Sequence, residues 1–214
     1  IVAGGKGLRM GANVPKQFLE INGKAIIVHT LEKFKEALPM AELLLVLPEA
    51  EMERWNELSQ GTAFENLRVA KGGNSRFESV KSGLSLIEAE GIVGVHDAVR
   101  PFVSIKTIQN VFAEAEKSGA AIPVVELKDS IREIGKATSK AVERSAFRIV
   151  QTPQCFQSQL LFNAYKQPNQ EKFTDDASVV EELGHAISLV EGNNENIKIT
   201  TIEDLKIGEV LIKV

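Results

Sequence analysis

A single cysteine, Cys155, stands in 214 residues, so no disulfide can close within the chain and no cysteine spacing suits a metal. Such usage fits a reducing, cytoplasmic compartment, with Cys155 expected as a small buried hydrophobe. Long hydrophobic runs are also missing. The longest, 43–47, is far short of the roughly 18 residues that suggest a membrane span, and no charged-then-apolar leader opens the chain. A soluble, unexported protein with no membrane partner is expected. Excess positive charge is absent too: 25 Lys+Arg face 29 Asp+Glu, a formal charge of −4. No basic stripe is left to release counterions from a nucleic-acid backbone, which argues against nucleic acid as a partner.

What is present is ordinary globular composition, 43% hydrophobic and 25% charged with 16 glycines, enough to bury a sizeable core as one domain over 1–214. Apolar, β-branched stretches at 1–3, 43–47, 67–70, 92–96 and 120–124 read as buried strands. Amphipathic patterns at 25–37, 50–58, 76–89 and 104–118 read as helices between them. This alternation predicts an α/β fold with a mostly parallel, twisted sheet covered by helices on both faces. Ile1 falls inside an apolar run, so a residue or more of the first strand is expected ahead of it. The pattern changes over 126–151, where alternating residues flank a polar, turn-rich centre at 135–140. That predicts a long hairpin or arm, which has little of its own to pack against and is expected to fold over a second subunit. Helices from Ser158 to Lys166 and around 176–183, strands at 186–190 and 197–200, and a closing helix from Glu203 complete the reading.

The chemistry begins at the first strand's end, which runs into Gly4-Gly5-Lys6-Gly7-Leu8-Arg9-Met10-Gly11. A dinucleotide fingerprint fails because Met10 stands where its last glycine belongs, and a P-loop fails because no glycine precedes Gly23-Lys24 at the required spacing. A glycine loop carrying cations remains. Lys6, Arg9 and Lys16 fall within residues 1–19, which hold no acid. An isolated loop lysine is ordinarily surface decoration; three cations after a strand, with backbone N–H groups exposed by glycine, suit a nucleoside triphosphate.

The opening and Pro15-Lys16-Gln17-Phe18 resemble the 2-C-methyl-D-erythritol 4-phosphate cytidylyltransferase family. The similarity continues in order through Gly72-Gly73-Asn74-Ser75-Arg76 with Ser79-Val80, and through Val95-His96-Asp97-Ala98-Val99-Arg100-Pro101. It extends over Asp129-Ser130 and Arg144, Gln151-Thr152-Pro153-Gln154, Thr174-Asp175-Asp176-Ala177-Ser178 and Asn196-Ile197-Lys198. The resemblance implies a Rossmann-like nucleotidyltransferase fold with a protruding β-arm at 126–151 that makes a homodimer. It also implies transfer of CMP from CTP to a polyol phosphate in isoprenoid-precursor synthesis, with pyrophosphate released and Mg2+ held mainly by the CTP phosphates. A ribitol 5-phosphate cytidylyltransferase is the nearest alternative. Uridylyl or thymidylyl sugar pyrophosphorylases and a non-catalytic nucleotide-binding module fit less well.

That reaction needs a phosphate-monoester oxygen to attack the α-phosphorus in line. The nucleophile is already an anion near neutral pH, so positioning and charge stabilisation carry the reaction rather than a general base. Histidine is limited to His29, His96 and His185, and His96 reads as structural. By resemblance, Arg9, Lys16 and Lys198 are catalytic, the first two neutralising the triphosphate and the third reaching the α-phosphate. Ala3, Gly4, Gly5, Gly73, Asn74, Ser79 and Ala98 enclose the nucleotide together with Lys198. Asp97, Arg100, Ser130, Arg144 and Thr152 hold the polyol phosphate, the arm residues completing the partner's site. Asn74 stands where the family often has an acid, and Ser130 where it often has threonine. No protein-only metal site is expected; Asp97 is the one carboxylate suspected of touching the ion.

Overall fold

The computed structural model describes residues 1–3 and 14–213. Gly4, Gly5 and Arg9, and with them the glycine loop, lie outside the described residues. After a short 3-10 turn at Lys16–Phe18 come β1 (Glu20–Ile21), β2 (Lys24–Ala25), α1 (Ile26–Ala37), β3 (Leu44–Leu47), α2 (Met52–Ser59), β4 (Arg68–Lys71), α3 (Arg76–Leu84), β5 (Ile92–Val95) and α4 (Ile105–Ser118). Then follow β6 (Ala120–Glu126), β7 (Arg132–Ile134), β8 (Ser139–Ala141), β9 (Arg148–Val150), β10 (Gln154–Gln157), α5 (Ser158–Ala164), α6 (Asp176–Glu181), β11 (Ser188–Glu191) and α7 (Ile202–Leu211). None of the described helices is long and apolar enough to cross a membrane.

The opening residues are the seam of the main sheet. Val2 bridges in parallel to Val46 on one side and Asp97 on the other. Its amide donates to His96 O (2.7 Å), and Ala98 N donates back to Val2 O (3.0 Å). β3 and β4 pair in parallel beside it, while β11, β6, β10 and β5 form the other side. β6 and β11 are parallel, but β10 runs antiparallel between β5 and β6. The sheet is therefore mixed, with β9 and β10 running against the common direction. β10 is the strand that periodicity does not reveal: Gln-Cys-Phe-Gln is four residues with polar ends and follows a proline.

Successive residues show how both faces are covered. Cys155 packs with Val111 and Ala115 of α4, whereas Phe156 packs with Phe77 and Val80 of α3 and Leu161 of α5. Strand side chains alternate faces, so the two neighbours must enter different helix layers. α4 lies over 105–118 as its pattern predicts, because Ser104 accepts the Thr107 amide at one end and Gly119 takes φ 87° at the other. α3 stops at Leu84 rather than 89, where Ser85 Oγ donates back to Ser82 O (2.7 Å). The expected strand at 197–200 does not form. Ile199 donates one backbone bond to Val99 O (2.9 Å), and its buried side chain joins Ile21, Ile26 and Val99.

The arm is less regular than one long hairpin. β6 continues to Glu126, β7 and β8 make a three-residue hairpin, and β9 returns along β6 with Val124 opposite Val150. β7, β8 and β9 are exposed throughout.

Close approach fixes one residue of the sheet. A Cβ on Gly94 would lie 2.5 Å from Phe112 Cζ and 3.2 Å from Cys155 Sγ. Gly94→Ala should therefore lower stability by about 1–3 kcal/mol through overpacking. Urea unfolding checks this, and an unchanged midpoint would show that Phe112 gives way freely.

Candidate active site

β5 ends at Val95, and the chain turns at once, with Arg100 N donating to Asp97 O (3.0 Å). Asp97 thus stands at the carboxyl end of a central strand, the place where open α/β sheets bind ligands. His96 sits beneath it, fully buried, its ring centroid 4.7 Å from that of Phe34. Burial holds the imidazole neutral, its pKa pushed down to about 3. Nε2 lies 3.1 Å from Arg100 O, which can only accept, so Nε2 carries the proton. Nδ1 must then accept the Thr152 hydroxyl at 2.9 Å, and the same hydroxyl oxygen accepts Asp97 N–H at 3.2 Å. Thr152 and His96 together fix the backbone from which Asp97 and Arg100 project.

The Asp97 side chain faces three cations. Lys198 Nζ and Arg100 Nε lie 3.0 and 3.3 Å from Oδ2, and Arg76 Nε lies 3.7 Å from Oδ1. Burial alone would push the carboxyl up; Lys198, Arg76 and Arg100 outweigh it and hold the group well below the usual carboxylate range. Arg100 is also tied to Asn196 O (2.8 Å), and Asn196, itself buried, donates to Thr152 O (2.9 Å). The irregular segment that carries Lys198 is thereby locked to both the β5 turn and the start of β10.

Beside this cluster the loop after β4 folds onto the start of α3. Gly73 N donates to Ser79 Oγ (3.1 Å), Ser79 Oγ donates to Ser75 O (2.8 Å), and Asn74 N donates to Glu78 Oε2 (2.7 Å). A Cβ on Gly73 would fall 2.3 Å from Glu78 Cβ, so the loop needs glycine there. Ser79 is buried under the loop, while Gly73 and Asn74 are exposed at its tip. The first residue of α3, Arg76, reaches across to buried Asp176.

The structure brings together Asp97, Arg100, Thr152 and Lys198, with Ala3 and Ala98 alongside at the strand ends: Ala3 N is held by Val46 O (2.9 Å), and Ala98 O accepts the Thr30 hydroxyl of α1 (2.9 Å). Lys16 opens the 3-10 turn before β1 and is half-buried. Ser130 and Arg144 stand apart, exposed on the arm, with the Arg144 guanidinium on Lys128 O. Among the described residues no hydrogen bond or ion pair joins either of them to Asp97, Arg100 or Lys198. Three supporting groups went unassigned in the sequence reading: Arg76, Asp176 and Asn196. One signal was available. Asp175 suffices as the cap of α6, which leaves Asp176 as an acid entering an otherwise apolar face, and such an acid requires a cation. No group of three His, Cys, Asp or Glu among the described residues is placed to hold a metal ion.

The family model for 2-C-methyl-D-erythritol 4-phosphate cytidylyltransferase (IspD) matches residues 1–214. The chain belongs to this family. A protein of that name from Bacteroides thetaiotaomicron is 50% identical over 214 residues, covering 99% of this chain and 97% of the relative. Among solved structures, the 2-C-methyl-D-erythritol 4-phosphate cytidylyltransferase of Thermus thermophilus superposes with a TM-score of 0.80 at 33% identity, over 100% of this chain and 97% of its own. The 4-diphosphocytidyl-2C-methyl-D-erythritol synthase of Anaerococcus prevotii gives a TM-score of 0.86 at 26% identity, over 100% and 94%. Membership makes the fold a Rossmann-like nucleotidyltransferase fold and the chain an enzyme, and the Asp97 cluster lies at the sheet edge where such a fold places ligands.

His96 gives the family fold a pH signature. The unfolded chain protonates this histidine below about 6.5 and the folded chain does not until about 3, so between those values the unfolded state holds more protons. Stability should fall on acidification through that window, by up to about 1.4 kcal/mol for each pH unit from this group. The difference in urea midpoint between the chain and its His96→Gln variant at pH 7, 6, 5 and 4.5 measures it, since the buried amine of Ile1, its pKa lowered to about 5, titrates in both. A flat profile would mean that His96 takes up its proton while folded.

Proposed function

We infer that the chain transfers CMP from CTP to 2-C-methyl-D-erythritol 4-phosphate, giving 4-diphosphocytidyl-2-C-methyl-D-erythritol and pyrophosphate, in isoprenoid-precursor synthesis by the non-mevalonate route. The observation that carries the reading is the Asp97 cluster: one ionised carboxylate facing three cations at the strand ends, beside the Gly72-Gly73 loop, in a chain that the family model matches over residues 1–214. A carboxylate held ionised accepts polyol hydroxyls, and cations around it accept phosphate. The acceptor phosphate attacks the α-phosphorus as an anion. His96, neutral with both ring nitrogens engaged, is not available as a base.

Within this reading Lys198 leaves Asp97 for the α-phosphate, while Arg9 and Lys16 balance the triphosphate and the departing pyrophosphate. Ala3, Gly4, Gly5, Gly73, Asn74 and Ala98 enclose the nucleotide, Ser79 shaping its loop from below. Asp97 and Arg100 receive the polyol phosphate, and Thr152 holds their backbone. The lone carboxylate of Asp97 fits a Mg2+ ion that arrives on the phosphates and needs at most one protein ligand. Such an ion would lower the charge that the two reacting anions present to each other. We place the reaction in the cytoplasm, in keeping with the single buried cysteine.

Purified protein should release pyrophosphate from CTP and 2-C-methyl-D-erythritol 4-phosphate, followed by a coupled phosphate assay. Equal turnover with UTP, or turnover with ribitol 5-phosphate alone, would overturn the assignment.

The body and the 126–151 arm act as one domain, and the arm serves a homodimer. Ile134, Phe147, Ile149 and Val150 are exposed on it, and apolar residues left uncovered in this way suit an interface. Ser130 and Arg144 then enter the partner's site. Asp97→Ala and Arg144→Ala proteins, each inactive, test this when subunits are exchanged. Random exchange makes about half the dimers mixed, each with one intact site, so about a quarter of wild-type activity should return. Heterodimers as inactive as their parents would place Asp97 and Arg144 in one chain's site.

A further inference from the structure

Arg76 is the cation of the Asp97 cluster that comes from α3 and the Gly73 loop. Arg100 belongs to the same turn as Asp97 and moves with it, and Lys198 is the group that the reaction draws away. Arg76 instead opens α3, three residues after Gly73. Its two terminal nitrogens chelate Asp176, NH1 to Oδ1 at 2.8 Å and NH2 to Oδ2 at 2.6 Å. Asp176 is fully buried and accepts a third bond, from the Tyr165 hydroxyl at 2.6 Å. Tyr165 is fixed in turn by stacking on Phe77, with centroids 4.7 Å apart.

This tether fixes the plane of the guanidinium. With NH1 and NH2 committed to Asp176, Nε is left facing Asp97 Oδ1 at 3.7 Å, whereas Lys198 and Arg100 both address Oδ2. The two carboxylate oxygens are thus held from different parts of the chain. When Lys198 turns to a phosphate, Oδ2 keeps only a cation from its own turn. Oδ1 keeps a cation that the buried acid prevents from following the phosphate.

We propose that Arg76, anchored on Asp176, is the positioning residue for Asp97, holding its carboxylate toward the acceptor substrate while Lys198 serves the nucleotide. The proposal rests on the reading of Asp97 as the polyol contact. The simpler role for Arg76 is to dock α3 on α6, in which case its loss would act on stability or on the nucleotide loop and not through Asp97.

A double-mutant cycle separates the two. Arg76→Lys keeps a cation against Asp176 but cannot chelate it and face Asp97 at once. Steady-state kinetics with 2-C-methyl-D-erythritol 4-phosphate varied at saturating CTP should show KM raised about 10-fold, with CTP affinity by calorimetry changed less than about 3-fold. In the Asp97→Asn background the same substitution should change kcat/KM by less than about 3-fold, because its route of action is already gone. An equal factor in both backgrounds, or a loss confined to CTP affinity, overturns the proposal. Arg76→Gln repeats the cycle without the charge, and thermal unfolding confirms that each variant is folded; Arg76→Lys decides if Arg76→Gln does not fold. Asp97→Asn alone tests the underlying reading. If that variant keeps wild-type kinetics, the assignment of Asp97 fails first and the role of Arg76 fails with it.

Discussion

An ionised carboxylate that is only 8% exposed must be surrounded by positive charge, and Asp97 dictates much of what stands around it. Three cations are drawn to it from three places in the chain: α3, its own turn, and the segment before α7. Each must in turn be held, since a cation free to leave would strand the acid. Arg76 is held by Asp176, Arg100 by Asn196 O, and Lys198 by its place two residues past buried Asn196. With Asp176 counted, three cations face two acids, so the cluster keeps an excess positive charge that suits an anion. In the proposed reaction a phosphate entering it would complete that balance.

The antiparallel strand explains how so many of these groups meet. In a fully parallel sheet the residues before a strand lie at the end remote from the ligand. β10 runs the other way, so its beginning, Gln154, sits opposite Val95 at the carboxyl end of β5. Thr152 therefore reaches His96 and Asp97 directly, and Gln151 meets Asn196 (3.3 Å). Gln154 also joins this end of the sheet to α6, donating to Asp175 (2.8 Å) and accepting from Ala177 N (2.9 Å), which sets the buried Asp176 in reach of Arg76. One reversed strand thus fastens α6, the β5 turn and the Lys198 segment together.

How much of this the sequence shows depends on which physics writes it. Most of the longer strands and helices through residue 126 are legible because each buries a stripe, and stripes leave a period: α1 buries Ile27, Thr30, Leu31 and Phe34, and α4 ends where its serine cap and glycine say it should, whereas the two-residue strands β1 and β2 are too short to leave one. β10 is illegible because it is four residues long and buried on both faces, with glutamines at its ends. The 197–200 stretch misleads in the opposite direction, since β-branched residues there serve one buried isoleucine and no ladder. Within the site, Asp97, Arg100 and Lys198 stand out as charges at strand ends or in a motif. Arg76, Asp176 and Asn196 lie in motifs as well, but their roles do not show there, because those roles rest on contacts between residues 100 apart in one case and 96 in another. Periodicity carries no information about such pairings.

The arm is where the described body stops explaining itself. β9 is hydrogen-bonded to β6 along Val124 to Glu126, so its backbone is satisfied, yet Ile149 and Val150 remain exposed and Phe147 beside them is nearly half exposed. Backbone pairing without burial gives a hairpin little net stability, because the conformational entropy lost in ordering it is not offset by apolar area removed from water. Polar links within the arm, such as Arg132 to Ser139 (2.9 Å), fix its shape but are exposed and individually weak. An arm that keeps a definite shape, turns apolar side chains outward and leaves Ser130 and Arg144 without a bond to their own Asp97 is what the proposed homodimer would require. Two-fold pairing would cover the apolar residues and bring the polar ones to a site in the same step.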